Sequence, residues 1–64
     1  MLKQPVDTVI EQFSNRDGAW MFDIQDALED AYQQTYACAY PMSALIEATT
    51  KLRKQGVHIW NSLD

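Results

Sequence analysis

The chain is poor in the residues that usually hold small proteins together. Among 64 residues there is one cysteine, Cys38, and one histidine, His58. A single cysteine excludes an internal disulfide, and with no CxxC and no histidine cluster there is no ligand set for a structural zinc. No metal or other cofactor is expected. No apolar run approaches the ~20 residues of a membrane span. The opening stretch MLKQPVDTV lacks the apolar core of a secretion signal, so the expected compartment is the cytoplasm, with no membrane partner. Bases are scarce as well: five Lys and Arg stand against nine Asp and Glu, a net charge of -4. Proteins that hold polyanions usually present a basic surface, so this balance argues against strong nonspecific DNA affinity.

What is present is enough for one folded domain, residues 1–64. Hydrophobic residues make up 47% of the chain, ordinary for a packed protein and too many for a disordered one. A domain this short buries little surface, so its stability must come from a well-packed core, with a homodimer interface as one way to add to it.

Val6, Val9, Ile10 and Phe13 fall at i, i+3, i+4 and i+7, which is one helical face. Pro5 suits the first turn, where its missing N–H costs nothing. SNRDG (Ser14 to Gly18) is turn chemistry, so a first helix covers about 5–14. The bulky stretch AWMF (19–22) reads as a strand stub. Asp23 is placed to cap a second helix, about 23–36, on which Ile24, Ala27, Leu28, Ala31 and Thr35 repeat at helical spacing. Tyr40 is pushed toward extended backbone by Pro41. Pro41 or Ser43 opens a third helix whose inner stripe is Leu45, Ala48, Thr49 and Leu52. Gly56 ends it, and VHIW (57–60) follows as a second strand stub. If the stubs pair, Trp20 and Trp60 face each other, and both read as core. His58 alternates outward from Val57 and Ile59, and Cys38 reads as a small buried apolar residue. The fold class is therefore mostly α: three helices with a small two-stranded β element.

Charge is unevenly placed. Residues 1–50 hold Lys3 and Arg16 against eight acids, a balance of -6; residues 51–64 hold Lys51, Arg53 and Lys54 against Asp64, a balance of +2. KLRK (51–54) either meets phosphates or simply complements the dipole of a helix C-terminus. Asp23, Asp26 and Asp30 lie at i, i+3 and i+7 with Glu29 beside them, and Asp7 and Glu11 pair at i, i+4. Such stripes are either solvated faces or imitations of a phosphate row that enters a partner's basic groove. Tyr32, Tyr36 and Tyr40 recur every four residues. Tyr32 and Tyr36 are candidates for a protein interface, the alternative being that they close the edge of the core with hydroxyls outward. No nucleophile–base set, no glycine-rich phosphate loop and no carboxylate pair in a pocket is expected, so the chain does not read as an enzyme.

The element order, with Leu45, Leu52, Arg53, Gly56 and Ile59, resembles the winged helix-turn-helix family. LIEATTKLRKQGVHI looks like the recognition helix and first wing strand of biotin-repressor-like regulators, and DIQDAL resembles the first helix of the pair. The resemblance implies a winged-helix-like domain with a truncated wing. Its segment between Ile24 and Pro41 is about two to three helical turns longer than usual. It implies a small DNA-associated transcriptional regulator, of the kind carried by phages and mobile elements. Lys51, Arg53 and Lys54 would then lie on phosphates, and Ser43, Glu47 and Thr50 nearest the bases. The second reading is an acidic protein-binding module that modulates or inhibits a host regulatory protein, by DNA mimicry or otherwise, through Asp23, Asp26, Asp30, Tyr32 and Tyr36.

Overall fold

The computed structural model describes residues 3–61, which form α1 (Pro5–Phe13), β1 (Gly18–Trp20), α2 (Met21–Tyr36), α3 (Met42–Lys54) and β2 (His58–Trp60). The architecture is the expected one: mostly helical, with a single two-stranded sheet. No helix among the described residues is long and apolar enough to cross a membrane.

Each helix begins where an extended residue ends. Gln4 (ψ 150°) precedes Pro5, whose fixed φ and missing N–H suit the first helical position. Val6, Val9, Ile10 and Phe13 are buried on the predicted face. α2 starts two residues before the expected boundary, because Trp20 is held extended (φ -81°, ψ 142°) by pairing in β1 and the chain turns helical at once. Asp23 is therefore not the N-cap. It sits in the first turn, where its charge still favours the helix dipole. α3 starts at Met42 behind the extended Pro41 and runs to Lys54.

The two C-termini differ. α2 closes on Ala37 in the left-handed region (φ 54°, ψ 40°), with its N–H donating to the Gln33 carbonyl at 3.0 Å. α3 closes on Gly56 (φ 91°). There the Gly56 N–H donates to the Arg53 carbonyl and the Val57 N–H to the Leu52 carbonyl, both at 3.0 Å. This is a Schellman closure, with buried Val57 packed at the same end as buried Leu52. Glycine takes the left-handed position after α3 without strain, and alanine carries that strain after α2.

That closure sends β2 alongside β1. The strands pair in parallel, Gly18 with His58, Ala19 with Ile59 and Trp20 with Trp60. The His58 N–H donates to the Asp17 carbonyl at 3.0 Å. Ala19 and Ile59 point into the core; Trp20, His58 and Trp60 point out. The two tryptophans do meet, with centroids 5.4 Å apart, but they are 43% and 42% exposed and are not core. Strand alternation overrides bulk here: the parity that turns His58 outward turns Trp60 outward with it. Cys38 is likewise exposed, on the connection between α2 and α3, because that connection leaves the core after Ala37.

The remaining core is as expected. Val6, Ile10, Phe13, Ile24, Leu28, Leu45 and Leu52 are all buried in one cluster with Val9, Ala48 and Val57. Buried Thr49 donates its hydroxyl to the Leu45 carbonyl at 2.9 Å, so it brings no unmet polar atom inside. Among the described residues no buried side-chain polar atom lacks a partner.

Leu52 is fully buried, so Leu52→Ala should destabilise by about 2–5 kcal/mol; unchanged thermal melting would place the core elsewhere. Ala37→Gly should raise the melting temperature by a few degrees, because it relieves about 1 kcal/mol of left-handed strain. The same exchange at Ala31, inside α2, should lower it. A fall at Ala37 would show that this residue does not adopt the left-handed conformation.

Candidate interaction surfaces

The residues singled out on α3 are all exposed, but they do not form one basic face. Ser43, Thr50 and Lys54, at i, i+7 and i+11, lie opposite the buried stripe. To one side Glu47 pairs with Lys51 at 3.0 Å, an i, i+4 ion pair. Such an exposed pair contributes about 0.3–0.5 kcal/mol, so it does not lock Lys51, yet it keeps a carboxylate beside every phosphate that Lys51 would meet. To the other side lie Met42 (66% exposed), Ile46 (59% exposed) and Arg53. Base edges are read by hydrogen-bonding side chains. This helix offers two hydroxyls, a carboxylate and two bare apolar residues, with Arg53 and Lys54 at its far end.

Asp23, Asp26 and Asp30 line a cleft of about 390 Å³ between the end of α1 and the first half of α2, together with Gln12, Phe13, Arg16 and Ala27. A carboxylate-lined pocket was not expected in so small a domain. It arises because SNRDG carries the chain away from α1 before α2 begins. The Arg16 guanidinium stacks over the Phe13 ring, 4.7 Å from its centroid. No group of residues suited to hold a metal ion occurs among the described residues. The cleft brings three carboxylates together with one cation, and no hydroxyl or thiol side chain is among the residues that line it.

Tyr32 and Tyr36 are in ring contact, with centroids 5.4 Å apart. The Tyr36 hydroxyl bonds to Gln4 Oε1 at 3.0 Å, tying the end of α2 to the start of α1. The Tyr32 phenol is pushed above its ordinary range, by burial first and then by Tyr36, Cys38 and Glu47 around it. It therefore stays protonated. This pair closes the edge of the core at Tyr32, while Tyr36 stays exposed. Tyr40 lies beyond α2 and does not continue the stripe on the helix.

A surface missed in the sequence is the outer face of the sheet. Trp20 stacks on Phe22 at 5.9 Å and 19°, Trp60 tilts against Trp20 at 50°, and His58 tilts against Trp60 at 5.4 Å. Phe22 is 44% exposed. The Trp60 indole lies over Gly18, where a Cβ would come within 2.5 Å of Cη2. Phe22 also heads the outward face of α2, where Phe22, Asp26, Glu29 and Gln33 follow at i, i+4, i+7 and i+11 with Asp30 alongside, all exposed. Rings and carboxylates thus form one continuous ridge. The signal for it was already in GAW and HIW: with Ala19 and Ile59 turned inward, every ring on those strands has to face out.

Gly18→Ala should displace the Trp60 indole and leave the domain folded, since the clash is with the far end of a side chain. The Trp20–Trp60 exciton couplet in circular dichroism should weaken, with a stability loss of about 1 kcal/mol. An unchanged couplet would place Trp60 elsewhere.

Compared with known proteins, the chain matches no family model, no curated protein sequence and no solved structure.

Proposed function

We propose that this chain is a non-catalytic, cytoplasmic protein-binding module that modulates a partner by covering part of its surface. The observation that carries this reading is the ridge: three rings, Trp20, Phe22 and Trp60, each more than two-fifths exposed, run into exposed Asp26, Glu29 and Asp30. Aromatic side chains grouped on a surface are typical of interface centres, and tryptophan is prominent among residues whose loss most weakens binding. A domain with so small a core has strong reason to bury such residues unless their exposure serves contact. The acidic flank gives the contact a sign.

DNA binding is the second reading. It is favoured by the order helix, strand, helix, helix, strand and by Arg53 and Lys54, which are exposed and form no salt bridge among the described residues. A winged-helix-like regulator of phage or mobile-element type would approach the duplex with α3. Glu47, Met42 and Ile46 on that helix weigh against it.

Two triple variants separate the readings. Neutralising the ridge (Asp26→Asn, Glu29→Gln, Asp30→Asn) should abolish capture of the partner from nuclease-treated lysate. Reversing the basic end (Lys51→Glu, Arg53→Glu, Lys54→Glu) should leave capture intact. Wild-type gel shifts should appear only at low salt, because each neutralised phosphate releases counterions. Salt-resistant, sequence-specific DNA binding that vanishes in the basic-end variant would establish the second reading in place of the first.

A further inference from the structure

We infer that the ridge takes a basic segment of its partner, with an apolar side chain seated against Trp20, Phe22 and Trp60 and arginine or lysine side chains reaching Asp26, Glu29 and Asp30. This rests on the protein-binding reading and narrows it to one chemistry.

The geometry sets the spacing. Phe22 belongs both to the ring cluster and to the outward face of α2. Along the helix axis Asp26 lies about 6 Å from it and Asp30 about 12 Å. A segment with one apolar anchor and cations within the next few residues meets both parts at once. The seat itself is shaped: Trp20 and Phe22 are close to parallel, Trp60 is tilted against Trp20, and Gly18 leaves the room in which Trp60 lies.

Charge selects the occupant. Asp26, Glu29 and Asp30 form no salt bridge among the described residues, and Asp30 accepts only from Gln34, at 3.1 Å. Carboxylates beside exposed rings favour a cation twice, by ion pairing and by cation–π attraction. The chain shows this pairing within itself, where the Arg16 guanidinium stacks on Phe13 in the cleft that Asp23, Asp26 and Asp30 line. A single-stranded nucleic acid would find rings to stack on, but its phosphates would run along the carboxylates. The exposed ring surface is on the order of 300 Å², well short of the roughly 800 Å² per partner of a stable protein interface. That area fits a segment better than a second copy of the chain.

The test uses the full chain and labelled synthetic peptides, read by fluorescence anisotropy across a salt series. A peptide of paired leucines followed by spaced arginines should bind, more weakly as salt rises. Versions with glutamate for arginine or serine for leucine should bind at least about tenfold more weakly, as should single-stranded oligothymidine. Phe22→Ser, and separately Asp26→Asn with Glu29→Gln and Asp30→Asn, should weaken the first peptide to the same degree with circular dichroism unchanged. Met42→Ser should not weaken it. Equal or tighter binding of the glutamate peptide or of oligothymidine would overturn the inference, as would full binding by the ridge variants. Concentration-dependent self-association of the wild type that Phe22→Ser abolishes would assign the ridge to a second copy instead. If the peptides fail but the ridge variants still lose a captured partner, the basic-segment chemistry is wrong and the protein-binding reading stands. If the ridge variants lose no partner, that reading falls too.

Discussion

Two strands of three residues decide how this molecule meets its surroundings. β1 and β2 pair in parallel in one register, and only Ala19 and Ile59 of the paired residues turn inward. So short a ladder has little stability of its own. It is held because α1 and the turn after it deliver one strand and the glycine closure of α3 delivers the other. A slip of one residue would turn Trp20 or Trp60 into a space that the core fills with an alanine or an isoleucine, and would expose the small residue in its place. The core volume therefore fixes the register, and the register fixes which rings face out.

The surface follows from that register. With Trp20 outward and α2 beginning at the next residue, Phe22 lands beside it at the head of the exposed face of the helix. The helical repeat then places Asp26, Glu29 and Asp30 behind it. One local event, the passage from strand to helix at Trp20, joins an aromatic cluster to an acidic stripe. The cationic end of α3 is organised differently. Lys51 has the Glu47 carboxylate beside it, and apolar residues occupy the near flank of the helix. The two ends of the charge distribution are thus unequal as binding surfaces: the acidic one carries aromatic anchors, and the basic one shares its helix with a carboxylate and two bare apolar residues.

Most of the core was legible in the sequence, because a 3.6-residue repeat leaves a strong trace over nine to sixteen residues. Val6, Ile10 and Phe13, or Leu45, Ala48 and Leu52, can be assigned to the inside by spacing alone. Gly56 was legible because a left-handed turn after a basic helix end has few other solutions. For three of the misplaced residues, Trp20, Trp60 and Cys38, bulk or hydrophobicity points one way and position in the chain the other. Size alone places Trp20 and Trp60 inside, whereas alternation turns Trp60 outward with His58, which has the same parity. Residue type alone places Cys38 inside, yet it follows Ala37, which turns the chain off the helix. Asp23 looked like a cap because the end of β1 could not be seen. For the candidate surfaces, the charges were legible one at a time, but their union with the rings depends on where β1 stops, which no periodicity in so short a strand reveals.

Nuclear Overhauser contacts of the two indole rings in the free protein test the outward register most directly. The account predicts contacts between the Trp60 ring and the Gly18 α-protons and between the Trp20 and Phe22 rings, with none from either indole to the methyl groups of Leu28 or Leu52. Strong contacts from Trp20 or Trp60 to those methyl groups would place the rings in the core, and would remove the ridge on which the functional reading stands.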